Sequence, residues 1–306
     1  MKIVAHSQFK DPKDDLQFFK NWVLALENQN GYQYEKVIIH SLLGKTQVYG
    51  FNLQNEVLET IVIFPGFRTT SLIWDLDKGL QKLAKRYRIF MIETNGQPNL
   101  SDGYSPAIKS LEYGHWANDL FNKLNIKKAY TVGASFGGLI CMKHAITNPE
   151  RVKATFLLNA GCLQPFSLTF SNLYYNLLPV IFPRKKNVST FLDKVIFSKP
   201  NHKLSPQGED LLNKYILFCL QQFNDKTEKP YFMKEQLRQV SVDTYLLQGR
   251  NDLLFPIQKS ISNAKKYIRS IVDVKTFNNV GHGIETHDAA ISFIDDCIKL
   301  RETDHN

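Results

Sequence analysis

The sequence predicts an α/β fold, a mostly parallel sheet covered by helices on both faces. Short apolar runs alternate with stretches of helical period, the pattern of parallel strands joined by crossover helices. A Gly-x-Ser-x-Gly, residues 133–137, sits between one such run and a helix-like stretch. The chain, 306 residues with 43% apolar and 12% aromatic side chains, is large enough to bury a sizeable core.

In chain order, residues 14–27 set Leu16, Phe19, Trp22, Val23 and Leu26 along one stripe, which predicts an amphipathic helix within an N-terminal extension, 1–34. It is expected to pack against the domain, with an arm in a dimer as the alternative. Residues 36–41 and 46–52, joined across Leu43-Gly44-Lys45, predict a hairpin, and strands follow at 60–64, 87–93, 128–132, 152–159, 244–248 and 272–277. Leu111, Trp116, Leu120 and Leu124 recur at helical spacing, as do Ile291, Ile294 and Ile298 near the end. The alternation is interrupted over residues 161–240, where helical patterns such as 210–223, announced by Ser205-Pro206, take its place. The core therefore divides into 35–160 and 241–306, with 161–240 inserted.

Several function classes are disfavoured. The formal charge is +9, but 38 basic residues are interleaved with 29 acidic ones, with no basic helix, RNA signature or zinc-finger spacing, so no nucleic-acid partner is expected. Cys141, Cys162, Cys219 and Cys297 lie far apart without metal-ligand spacing, which suits a reduced compartment, and Cys141, Cys219 and Cys297, in helical patterns, are expected as buried thiols. Residues 1–6 turn polar after three apolar ones, and no run reaches the length of a membrane span, so a cytoplasmic setting is expected.

The chemistry concentrates in three places. In Gly133-Ala134-Ser135-Phe136-Gly137-Gly138 only glycine lets the backbone pass so close to its neighbours, and the serine is left at the tip of the turn. The amide of Phe136, at the helix start, points to where an oxyanion would form. A plain helix cap after a glycine turn is the alternative for Ser135 alone. A nucleophilic serine needs a base, and the base a carboxylate. Asp252, in the loop beyond a run that ends in Gly249, is the carboxylate, with a plain Asx turn as its alternative. Asp243, at the other end of that run, is the weaker candidate. His282, between Gly281 and Gly283 in a loop, is the base; His287 is its nearest rival but is expected inside the next helix, facing solvent. His6, His40, His115, His144, His202 and His305 have no comparable setting.

With serine, acid and histidine in that order, the chain resembles the α/β-hydrolase family from about residue 35 to 300. The glycine turn after the strand at 60–64, Phe64-Pro65-Gly66-Phe67, matches the family's second oxyanion element, with Phe64-Pro65 where a histidine is usual. The resemblance implies that Phe67 and Phe136 supply the oxyanion amides. Thr70-Ser71-Leu72-Ile73-Trp74 is similar to the Ser-x-x-Trp of cofactor-free members, and residues 93–101 resemble the family's loop of aspartate, glycine and serine, with Glu93 for the aspartate. Arg68 and Trp74 are candidate substrate-binding residues, although an arginine so placed more often pairs with a surface acid. Serine at the elbow suits acyl transfer, whereas the dehalogenases and epoxide hydrolases of this fold use aspartate.

The resemblance implies a fold with a helical cap at 161–240, no metal and no organic cofactor, and an apolar ester, thioester or lactone as the small-molecule substrate. Carbon–carbon hydrolysis of a diketone-like compound, and a ligand-binding or signalling protein with slow turnover, are the alternatives. Residues 166–182 form the most apolar stretch of the cap and are followed by Arg184-Lys185-Lys186. A cap helix packed on the core is favoured over one that touches membrane. The sequence sets no oligomeric state.

Overall fold

The computed structural model describes residues 3–5, 9–224 and 227–303. The expectations for His6 and His305, and most of the leader segment 1–6, lie outside them. The chain begins with β1 (Ile3–Ala5) and α1 (Pro12–Asn30), the latter capped by the Asp11 side chain, started by Pro12 and ended by Gly31 at φ 74°. The predicted hairpin forms as β2 (Glu35–Ser41) and β3 (Gly44–Phe51). Next come β4 (Thr60–Phe64), a 3₁₀ segment Ser71–Lys78, the short α2 (Gln81–Ala84), β5 (Arg88–Ile92) and β6 (Tyr104–Pro106). The core then continues through α3 (Glu112–Lys123), β7 (Ala129–Ala134), α4 (Phe136–Thr147) and β8 (Val152–Leu158).

Residues 161–240 carry α5 (Phe170–Ile181), α6 (Lys185–Phe191), a π turn Leu192–Ile196, and α7 (Pro206–Gln222), which starts at the Ser205 cap and Pro206 as its sequence indicates. The chain returns through β9 (Thr244–Gly249), α8 (Ile257–Tyr267), β10 (Ile271–Phe277) and α9 (Asp288–Thr303).

Eight strands form one sheet in the order β10-β9-β8-β7-β4-β5-β3-β2, parallel except where β3 runs against β5 and β2. This is the expected α/β fold. Alternate side chains of each strand enter different cores. Ile61 and Ile63 of β4 pack on the side of α1 and α9, while Val62 and Phe64 pack on the side of α3 and α4. The direction of winding reverses at β4, which lies between β5 and β7, and open α/β sheets bind ligands beyond the carboxyl ends of strands at such a point.

Two features differ from the sequence expectations. The small antiparallel pair β1 and β6 has no period long enough to announce it. More consequentially, α5 does not bury its apolar stripe: within it only Asn172 and Pro179 are buried, and Phe170 is 84% exposed. The helix packs on α6 and the π turn through buried Asn172 and Pro179 and partly buried Leu173 and Leu178, with Asn172 donating to the carbonyl of Ser167, so the stripe that was expected inside faces out. The N-terminal helix packs as expected, on the inserted segment as well as the core domain: Phe18 stacks on Phe218 at 3.9 Å, the Trp22 indole donates to the Leu211 carbonyl, and the Asn30 amide donates to Asp75.

Candidate active site

Ser135 stands between β7 and α4 with φ 49° and ψ −108°, a backbone conformation that disfavours any side chain bearing a Cβ. Its surroundings explain how the turn is held. A Cβ on Gly133 would collide with the backbone of Gly137, and one on Gly137 with the Phe64 carbonyl, so both positions exclude every other residue. The Ser135 amide donates to the Leu158 carbonyl and its own carbonyl accepts from Gly161 N, which ties the turn to the end of β8. From Ala129 to Ala145 every residue is buried except Ser135.

The carboxylate and the imidazole meet. Asp252 Oδ2 lies 2.9 Å from His282 Nδ1, while its Oδ1 accepts from the amides of Leu254 and Phe255. The Asx turn and the histidine contact therefore coexist, one on each oxygen. A carboxylate can only accept, so Nδ1 carries the hydrogen and Nε2 is left with its lone pair. Among the described residues, no hydrogen bond joins Nε2 to the Ser135 hydroxyl. Burial opposes charge on His282, but the charge and hydrogen bond of Asp252, joined by the charge of Glu285, outweigh it and raise its pKa.

The two residues expected to supply oxyanion amides also converge. The Phe67 and Phe136 rings meet edge to face at 5.7 Å, and Gly66 lies against Ser135, where an added Cβ would be 3.7 Å from the serine Cβ. Phe136 is the first residue of α4, so its N–H is among those a helix leaves unpaired. Arg68, at φ 58°, donates its amide to Gln97 Oε1 and places its guanidinium 5.5 Å from the Phe67 ring centre. Trp74 is 1% exposed and packs in the core on the α1 side of the sheet.

The other histidines are accounted for. His287 precedes α9 rather than lying inside it and is half-buried, edge-on to His202 and tilted against Phe277; its expected solvent-facing place in the helix is corrected, since the chain makes a 3₁₀ turn at Ile284–Thr286 first. His144 is buried against Phe121, its pKa pushed down to about 3 by desolvation and Arg151. Asp243 pairs with Arg301 at 2.7 Å.

Sequence reasoning missed the side chains that hold these loops. Asn159, just past β8 at φ 43°, accepts from the Gly249 amide and donates to the carbonyls of Gly281 and His282, 3.0 Å each. It joins the loops of Asp252 and His282 to the strand beside Ser135. An asparagine ending an apolar run was its only signal. From the inserted segment, the carbonyls of Val195 and Ile196 accept from the amides of His282 and Gly283. Glu285 lies three residues beyond His282, with one carboxylate oxygen buried and unpartnered among the described residues, and desolvation raises its pKa. Phe255 packs on the His282 ring at 5.6 Å.

Fold and site define an enzyme class built on a serine turn above a parallel sheet. The chain belongs to the alpha/beta hydrolase fold family, whose model matches residues 59–215. It is 24% identical over 227 residues to the uncharacterized carboxylesterase nap of Bacillus subtilis, covering 72% of each chain. It is 23% identical over 250 residues to 2-hydroxy-6-oxononadienedioate/2-hydroxy-6-oxononatrienedioate hydrolase 1 of Pseudomonas putida, covering 76% of this chain and 84% of that one. Among solved structures, a hydrolase from Bacillus subtilis superposes with a TM-score of 0.78 at 20% identity, over 94% of this chain and 99% of that one.

Proposed function

We propose that the protein is a serine hydrolase that cleaves a carboxylic ester carrying an apolar acyl or aryl group, with Ser135 as nucleophile, His282 as base and Asp252 as its orienting carboxylate. The observation that carries this is the hydrogen bond between Asp252 and His282, combined with a strained Ser135 left as the one accessible residue of its turn. Ser135 Oγ attacks the carbonyl carbon as His282 Nε2 takes its proton. The oxyanion is held by the Phe67 and Phe136 amides; the C–O bond then breaks, and the alcohol leaves with the proton from His282. Water, deprotonated by the same imidazole, hydrolyses the acyl-enzyme. Residues 161–240 act as the cap, and Arg68 stands at the mouth of the oxyanion turn, where it suits a substrate carboxylate. Similarity to a carboxylesterase supports the ester; thioesters and lactones suit the same machinery.

A second reading is favoured by one relative. The Pseudomonas putida hydrolase is named for a compound with no ester bond, so its hydrolysis breaks a carbon–carbon bond. Covalent labelling by a fluorophosphonate together with turnover of p-nitrophenyl butyrate, both lost in Ser135→Ala, is the expected result. Turnover confined to vinylogous diketones would replace ester hydrolysis by carbon–carbon cleavage, and neither activity would refute both.

A further inference from the structure

We propose that α5 and its flanks dock on an anionic phospholipid surface, from which apolar esters pass to Ser135. The substrate half of this rests on the hydrolase reading; the docking does not. Eight of the fifteen large apolar side chains exposed among the described residues fall within 166–182, so the exposure is a patch rather than scatter. Phe170, Tyr174, Leu177 and Ile181 succeed one another at spacings of four, three and four, one stripe along the helix, and all face outward. The helix buries Asn172 and Pro179 and leaves this aromatic and aliphatic stripe outside.

Charge selects the occupant. Between Glu150 and Asp193 the chain has no acidic residue, and the stripe ends in exposed Arg184, Lys185 and Lys186, the arrangement that suits anionic headgroups around buried apolar side chains. Lys185 also reaches Asp210 at 3.3 Å on an exposed face, which leaves Arg184 and Lys186 beside it for phosphate. No helix among the described residues is long and apolar enough to cross a membrane, so the contact is one of lying on the surface. The patch also leads to the site: Phe166 meets Phe255 edge to face, Phe255 lies on the His282 ring, and the Ser167 amide donates to the Leu254 carbonyl two residues from Asp252.

The full chain is mixed with phosphatidylcholine vesicles with and without phosphatidylglycerol, and co-sedimentation is measured beside p-nitrophenyl butyrate turnover in lipid-free buffer. Binding should require the anionic lipid, weaken with salt, and fall about tenfold or more when Leu168, Phe170, Leu177 and Ile181 are all changed to serine, with soluble-ester turnover unchanged. Changing Arg184, Lys185 and Lys186 to glutamine should remove the salt dependence. Wild-type protein that turns over the ester yet stays in the supernatant overturns the docking and leaves the hydrolase reading intact; binding without turnover does the reverse. Self-association in the ultracentrifuge that the four serines abolish would assign the patch to a second copy of the chain and overturn the lipid proposal.

Discussion

Asn159 Nδ2 donates to the carbonyl oxygen of His282 at 3.0 Å, and the same side chain fixes Gly281 and Gly249. One buried amide thus sets the distance between the histidine loop and the strand end beside Ser135. Asn159→Ala should lower kcat on the order of 10- to 100-fold with little change in KM, because the imidazole is displaced rather than removed. Stability should fall by about 1–3 kcal/mol, measured by denaturant titration, since two carbonyls and an amide lose their partner. Asn159→Asp should be worse in kcat, because its carboxylate still accepts from Gly249 but repels both carbonyls.

The φ of 49° at Ser135 predicts a gain in stability from losing the side chain altogether. Ser135→Gly should unfold about 1 kcal/mol later than Ser135→Ala, since both lose the hydroxyl but only glycine relieves the strain. Equal midpoints in denaturant would show that the turn carries no strain.

Glu285 should contribute to the acid limb of the pH profile. The base must be neutral to take the serine proton, so kcat/KM should rise with pH through the pKa of His282, which lies above the ordinary histidine value. Removing the Glu285 charge takes away one contribution that favours imidazolium. Glu285→Gln should therefore shift that limb to lower pH; an unmoved limb would remove Glu285 from the electrostatics of the site.

Glu93 predicts a pH-dependent stability of the opposite kind to most carboxylates. It is fully buried at the end of β5, accepts from the hydroxyls of Thr70 and Ser71, and desolvation pushes its pKa up to about 7 despite those bonds. A raised pKa means that the folded state binds the proton more tightly, so the contribution is full below the ordinary carboxylate range and is lost as pH rises through about 7. Glu93→Gln keeps an acceptor for Thr70 and Ser71 without the charge. It should be more stable than wild type at pH 8, by on the order of 2–3 kcal/mol, and the advantage should vanish near pH 4.

The strands were legible because burial on both faces of a parallel sheet writes itself as short continuous apolar runs, and 60–64 coincides with β4 to the residue. The loops that carry Ser135, Asp252 and His282 were legible for a different reason, since they need glycine at fixed places. Asn159 was not, because its role depends on two loops about a hundred residues away and on hydrogen bonds that leave no periodicity. The orientation of α5 was not legible either. A stripe of Phe170, Tyr174, Leu177 and Ile181 has the same spacing whether it faces a core or the outside, and only the third dimension decides.

The carbonyls of Val195 and Ile196 grip the amides of His282 and Gly283, so the inserted segment and the histidine loop share one short stretch of backbone. Replacing residues 161–240 with a foreign segment would have to reproduce two oxygen atoms at that spot. Chimeras spliced at the obvious seams, without that pair of acceptors, inherit a histidine loop that has lost two of its backbone partners.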